Sequence, residues 1–473
     1  MSDSYRNYVL LLLTFVYTLN FVDRTLMAVV AQPIIDTFSL SDTQWGLIYG
    51  APFALFYALM GIPIAMLADR YNRVVIISVC IVIWSVMTAL CGFTVGFLSL
   101  LLCRVGVAIG EAGCTPPASA LISDYFQPSK RAKAFAVYSM GVAIGIMLAN
   151  IFGGPIAQLK GADVGTWLEG IGLVAFADHF DWANIEGWRI AFVSIGFPGV
   201  LVAALLMLTI RDPVRGAMDG AEKGDQPVVK LGYAAASRQL LRKPTFWWMV
   251  AGAALAAFGS YGVTGFQAPF LQREHGLDVR DAALYFGAPF AAFSALGTFL
   301  GGVVTQRFSR ITIKAIAWVP AGALVLAVPC YILAFYADSL SRVFVFWALA
   351  ATLHYTYVGS QYNIAQGVVS ARARATAIAL LLLIVSIIGS GIGPYFVGFF
   401  SDFFMQAELG SEISVTACNT AQDLSSELSD LCTRSSSTGL KKSICLTVCV
   451  FFISAFCFWK SGKTLERDFV ARL

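Results

Sequence analysis

Long apolar runs recur along the chain, each closed by a short polar stretch. Twelve of them reach the roughly 20 residues that a helix needs to cross a bilayer. They lie near 8 to 31, 45 to 67, 74 to 93, 97 to 122, 134 to 158, 189 to 210, 245 to 270, 282 to 305, 312 to 336, 342 to 369, 375 to 400 and 441 to 460. The first continues through Asp23 and Arg24 without a small-residue cleavage site, so it reads as a helix rather than a leader. Three polar stretches are longer than a turn. Residues 159 to 188 contain Trp and are half apolar, which suits an interfacial element. Residues 211 to 243 hold Gly, Pro and charge in their first half and read as a linker, with a short surface helix near 231 to 242. Residues 402 to 440 form a polar outer loop.

The pattern repeats. GAPFA occurs at 50 to 54 and again at 287 to 291, and aligning 50 to 73 with 287 to 310 without a gap gives ten identities in 24 positions. RAKAFAV at 131 to 137 corresponds in the same way to RARATAI at 372 to 378. The two offsets, 237 and 241, are near half of the 473 residues, so the chain reads as two related six-helix halves in the same orientation. The expected organisation is an N-terminal bundle over 1–210, a linker over 211–243 and a C-terminal bundle over 244–473. Parallel repeats of this kind build transporters that alternate access to a midplane site.

Composition agrees with a membrane protein: 58% of residues are hydrophobic and 13% charged, against about a quarter charged in soluble domains. The net charge of +4 is spread between apolar runs, which leaves no basic face for nucleic acid. Basic residues gather on one side of the bilayer, which places both termini in the cytoplasm of a cell (inner) membrane protein. Eight of the ten cysteines sit in apolar runs as small hydrophobes. Cys418 and Cys432 lie in the outer loop, where an oxidising compartment would let them form a structural disulfide.

Charge inside the bilayer is costly and marks function by default. Asp23 and Arg24 fall in the first helix, Arg104 and Glu111 in the fourth. Arg104 and Glu111 are seven apart and share a helix face. Counting depth places Asp23 level with Arg104 and Glu111 nearer the midplane. The plain structural reading is a permanent interhelical salt bridge. The functional one makes Glu111 or Asp23 the proton-binding acid, with Arg24 and Arg104 as counter-ions that also take an anionic headgroup. The second half carries no comparable cluster. Its expected cavity is aromatic and neutral: Tyr261, Gln267, His354, Tyr357 and Asn363. A lone His such as His354 is more commonly a hydrogen-bonded core residue than a ligand, yet it is the titratable candidate there. One charged and one aromatic wall suit an amphiphile.

ADRYNR at 68 to 73 and TQRFSR at 305 to 310 join helices at equivalent points of the two halves. Here the chain resembles the major facilitator superfamily, whose second-to-third helix turn carries a Gly, Asp-Arg, Gly, Arg pattern. Ala65 and Asn72 depart from that pattern, and Gln306 stands where an acid would be. The resemblance implies a cytoplasmic gate at Asp69, Arg70, Arg73, Arg307 and Arg310, resting mainly on Asp69. The plain alternative is a solvated anchor. NFVDR at 20 to 24, ADRYNR, and RVGVAIGEAGCTPPASALISDYF at 104 to 126 look together like the Spinster family within that superfamily. This resemblance implies an all-α membrane protein of twelve transmembrane helices and proton-linked export of lipid-like molecules such as lysophospholipids or sphingosine 1-phosphate. It puts Asp23, Arg24, Arg104 and Glu111 at the family's charged positions. A substrate, protons and the bilayer are then the partners of a monomer that needs no cofactor. A proton-coupled symporter of a small organic anion is the alternative.

Other classes find little support. SGKT at 461 to 464 lacks the first Gly of a phosphate-binding loop, Cys457 standing in its place, and too little chain follows for a nucleotide domain. There is no HExxH, and His179, His275 and His354 are scattered, so the chain is not expected to be an enzyme.

Overall fold

A computed structural model describes residues 2–170, 181–215, 218, 240, 242–370, 373–410, 413–420 and 425–470. Most of the expected linker, with its surface helix, and part of the interfacial element lie outside these residues. Among the described residues the chain is helical throughout, without a strand. Twelve helices are long and apolar enough to cross a membrane. They are α1 (Asp3–Val29), α2 (Asp42–Arg70), α3 (Arg73–Cys91), α4 (Phe97–Tyr125), α5 (Pro128–Ala157), α6 (Gly187–Thr209), α7 (Pro244–His275), α8 (Val279–Ser309), α9 (Ala315–Phe335), α10 (Leu340–Gly367), α11 (Thr376–Leu409) and α12 (Ser426–Asp468).

The last helix differs most from the sequence expectation. Much of the supposed loop 402–440 is helical: α11 runs to Leu409, a short helix spans Val415–Thr420, and α12 starts at Ser426. The Ser425 side chain accepts from the Leu428 N–H and caps that start. A Cys418–Cys432 disulfide ties it to the short helix, and Lys442 pairs with Glu408 across to α11. Polar residues are tolerated in this stretch because Ser435 and Ser437 are buried against neighbouring helices rather than facing lipid.

Two compact units result. Unit 1 takes the described residues of 1–40, 52–222 and 267–288; unit 2 takes those of 41–51, 223–266 and 289–473. The first turns of α2 therefore belong with the second unit, and the end of α7 with the start of α8 belongs with the first. Unit 1 has an apolar core of Leu13, Val16, Ile81, Trp84, Leu121 and Leu206. Helices α1 and α5 approach closely in it, because a Cβ at Gly145 would meet the Thr18 carbonyl oxygen at 2.5 Å. Gly141 and Gly145 leave that face of α5 bare enough for the approach. Unit 2 buries Phe246, Tyr331, Phe335, Phe451 and Phe458.

Each unit contains one tight crossing of irregular helices. In unit 1, α5 widens into a π turn at Ala149–Gly153 and α8 into another at Ala282–Gly287. Gly287, the first letter of the second GAPFA, lies so near α5 that a Cβ there would sit 1.8 Å from Asn150 Oδ1. Gln158 also donates to Asp278 at 2.6 Å, and the Asp281 backbone N–H, then that glutamine, hold the Asp278 carboxyl below its ordinary range. In unit 2, α2 breaks at Gly50 and α11 has a π turn at Ser386–Ile392. Gly50, the first letter of the first GAPFA, faces the Ser390 carbonyl, with 2.7 Å left for a Cβ. About two turns beyond, a Cβ at Gly398 would sit 2.0 Å from the Asp42 carbonyl oxygen. Asp402 accepts from the backbone N–H groups of Asp42 and Thr43 at 3.1 and 2.9 Å, a carboxylate at the positive end of a helix. The doubled pentapeptide thus opens with a glycine that meets an irregular turn of another helix in both copies.

Candidate functional site

The four charged residues of the first half converge inside unit 1. Glu111 is fully buried, and its Oε2 accepts a hydrogen bond from Nε of Arg24. Its Oε1 has no hydrogen-bond partner among the described residues. Arg104 and Asn20 face the same carboxylate. Asp23, also buried, accepts from Thr88 Oγ1 at 3.3 Å and faces Glu111 and Arg104. Asp23 and Arg104 face one another, as their shared depth suggested, but no direct ion pair forms between them. Depth along a helix sets height and leaves the angle about the axis open. The actual bridge is Arg24 to Glu111.

Aromatic rings hold the two arginines. The Arg24 guanidinium lies over Phe21, Phe53 and Tyr57, at 5.1, 4.9 and 4.6 Å from the ring centroids. The Arg104 guanidinium lies over Phe53 at 5.1 Å, so this ring, the fourth letter of the first GAPFA, serves both. Rings of this kind stabilise a partly desolvated cation without neutralising it. Arg104 is buried, carries no ion pair, and its Nε has no hydrogen-bond partner among the described residues. An unpaired buried guanidinium is a ready anion site. Phe53 and Tyr57 escaped sequence reasoning because an aromatic residue in an apolar helix looks like packing. The repeat marks Phe53, whereas Tyr57 aligns with Ser294.

The second Phe of the doubled motif, Phe290, packs on rings: Trp347 at 6.2 Å and Tyr355 at 6.1 Å. His354 is wholly buried in that aromatic interior of unit 2. Its Nε2 lies 3.3 Å from the Ala256 carbonyl and its Nδ1 lies 3.2 Å from the Tyr331 hydroxyl. A carbonyl only accepts, so Nε2 carries the proton and Nδ1 accepts from Tyr331. The ring is a satisfied core residue, and Tyr357 stacks on it at 5.8 Å. Tyr261 and Asn363 are exposed, whereas Gln267 is buried in unit 1. Within unit 2, Tyr261, Tyr357 and His354 lie beside one another.

The expected gate residues differ in burial. Asp69, Arg70, Arg307 and Arg310 are exposed. Arg73 is buried and locked: Nη1 to Asp124 at 2.5 Å, Nε to Asp212 at 2.8 Å, and Nη2 to the Pro213 carbonyl at 3.0 Å. Arg215 reaches back to the Ala68 carbonyl at 3.0 Å. The start of the linker is thus folded under the α2–α3 turn, a contact whose signal was the acid in RDPVR.

Known proteins share this architecture. Residues 13–394 match the profile described as Major Facilitator Superfamily. A bacterial homolog of the human lysosomal transporter Spinster, crystallised in an inward-facing and unoccupied conformation, is 49% identical and superposes over the whole of both chains with a TM-score of 0.94. The chain belongs to the major facilitator superfamily and is of the Spinster type. This major facilitator is also 30% identical, over 97% of its length and 93% of the relative's, to an MFS-type efflux pump of Mycolicibacterium smegmatis. It is 26% identical to protein spinster homolog 1 of Xenopus laevis, covering 83% of its own length and 72% of the relative's. The buried quartet accordingly sits in an integral membrane transporter.

Proposed function

We propose that this transporter exports an amphiphilic, lipid-like molecule of the lysophospholipid or sphingosine 1-phosphate type in exchange for protons. It does so by alternating access, as a monomer in a cell (inner) membrane with both termini cytoplasmic. One observation carries the reading: Glu111 is half satisfied by Arg24, while Arg104 faces it and Asp23 without a direct ion pair to either.

The charges fix the sign of coupling. Exchange requires that proton and substrate exclude one another. A headgroup with both a phosphate and a cationic nitrogen meets that condition: the phosphate lies on Arg104, and the nitrogen takes the carboxylate that a proton would otherwise occupy. Protonation of Glu111 then expels the nitrogen and releases Arg24. Asp23, held by Thr88, is the second acid available to the same proton. The alternative is symport of a small organic anion, which the uncommitted Arg104 also suits. A pure anion drawing Arg24 away from Glu111 would favour protonation, so proton and substrate would load together.

Proteoliposomes separate the two readings. The exporter moves a labelled lysophospholipid, binds it more weakly as pH falls, and ignores small carboxylates. Movement of a carboxylate but not of the lysolipid, with tighter binding at low pH, would replace export by symport.

A further inference from the structure

SGKT at 461 to 464, which is no nucleotide loop, lies in the last turns of α12, at the edge of the apolar run near 441 to 460. Its lysine has company. The Lys463 ammonium lies 3.6 Å from the Trp459 ring centroid, and the Lys460 ammonium lies 5.7 Å from the same ring and 5.4 Å from that of Phe456. One indole thus holds two ammonium groups. Neither lysine forms an ion pair among the described residues, because the acids that follow, Glu466 and Asp468, pair with Lys314 and Arg467. Trp318, in the first turn of α9, lies alongside. Its Nε1 donates to the Trp459 carbonyl at 3.3 Å, and the Lys314 ammonium lies 5.8 Å from its ring. The start of α9 and the end of α12 therefore present three lysines and two indoles together, wholly within unit 2.

Where these charges sit decides what they can hold. A lysine at a membrane edge ordinarily extends its charge into water. Lys460 and Lys463 instead keep theirs against rings, and indoles lie at the level of the lipid headgroups. The anion that a bilayer presents at that level is the phosphodiester of a phospholipid. Each ammonium has three N–H donors, and a ring covers only the side that faces it, so both lysines are open to phosphate oxygens. Phe452, Ile453 and Phe456, exposed on α12 toward the bilayer centre, give acyl chains an apolar surface. A free anion from solution would leave that surface unused. Three ammonium groups against the one carboxylate of Glu466 also disfavour a headgroup that carries its own cation.

We propose that Lys460, Lys463 and Trp459 form a binding site for an anionic phospholipid such as phosphatidylglycerol, whose phosphodiester bridges the two ammonium groups. The lipid is a resident of the bilayer rather than the transported molecule. The site shares no residue with the charged quartet, and it stands independently of the export reading.

Native mass spectrometry of the detergent-purified protein tests this by reading bound lipid rather than transport. The protein is titrated with phosphatidylglycerol and, separately, with phosphatidylcholine of the same chains. Phosphatidylglycerol should stay bound at concentrations where phosphatidylcholine does not, and excess inorganic phosphate should not displace it. Lys460→Gln/Lys463→Gln should weaken binding roughly thirtyfold, about fivefold for each charge removed. Lys460→Arg/Lys463→Arg keeps both charges and should retain the lipid, which separates lost charge from a disturbed fold. Lys130→Gln/Lys133→Gln removes the same charge from the exposed start of α5 and should leave binding unchanged. Equal retention of the two lipids, or binding that Lys460→Gln/Lys463→Gln leaves unchanged, would overturn the proposal and reduce the lysines to a helix anchor. Equal weakening by the two Gln pairs would overturn it in favour of general charge attraction, and displacement by inorganic phosphate in favour of a free ion.

Discussion

Arg24 donates through Nε to one carboxylate oxygen of Glu111, 87 residues further along the chain, and the other oxygen of Glu111 has no hydrogen-bond partner among the described residues. A purely structural bridge would be expected to satisfy both oxygens, since a buried pair gains enough to offset desolvation only when its remaining groups are bonded. The open oxygen, with Asp23 and Arg104 beside it, leaves the pair able to trade partners.

Arg104 is the first point of test. No carboxylate is bonded to it directly, although it faces Asp23 and Glu111, so Arg104→Met should leave the fold intact and the unfolding temperature no lower. The same change should weaken lysolipid binding by at least about tenfold, because the phosphate loses its guanidinium. Thermal unfolding and binding on the same preparation check this. A lower unfolding temperature with unchanged binding would assign Arg104 to structure.

The two copies of GAPFA make a matched pair. Phe53→Leu keeps an apolar side chain but removes the ring under both guanidinium groups, each contact being worth about 0.5–2 kcal/mol. Transport per folded molecule should fall severalfold, and the unfolding temperature should fall with the lost contacts. Phe290→Leu, which removes the packing on Trp347 and Tyr355, should lower stability and leave the transport rate per folded molecule unchanged. Equal effects of the two on transport would contradict the asymmetry.

The crossings can be tested by clash and rescue. Gly287→Ala forces its methyl group onto the Asn150 side chain, at a cost of about 1–3 kcal/mol for overpacking. Asn150→Ala in the same chain should restore stability, because the obstacle is a side chain. Gly398→Ala meets the backbone carbonyl of Asp42, and no side-chain truncation should rescue it. Unfolding of the three variants decides the point.

Arg73 separates a lock from a gate. Removing it strands Asp124 and Asp212, and breaking a buried pair costs about 3–5 kcal/mol. Arg73→Ala should therefore unfold at a lower temperature, and Arg73→Lys should recover part of the loss. Unchanged unfolding with altered transport would return Arg73 to the gate.

Much of this was legible in the sequence. Twelve apolar runs and the repeat gave the helix count, and charge within apolar helices marked all four members of the quartet. Their partners were not legible. Asp23 and Arg24 are adjacent in sequence but point to different sides of α1, and only packing against α3 and α4 decides that Arg24, not Asp23, meets its opposite charge. Long-range contacts escaped for a similar reason. Nothing near Arg73 announces Asp212, 139 residues away, until the start of the linker folds back. Cys418 and Cys432 were readable because the polarity of their segment set them apart, although the helix that carries Cys432 was not.

The central claim is that a proton acts on the Arg24–Glu111 pair. Its most direct test is lysophospholipid efflux from proteoliposomes, with and without a pH gradient, for the native chain and for Glu111→Gln. The native chain should speed up with the gradient, whereas Glu111→Gln, nearly the same shape without a titratable carboxyl, should transport slowly at a rate the gradient does not change. Glu111→Gln with the full response to the gradient would contradict the claim and move proton coupling away from Glu111.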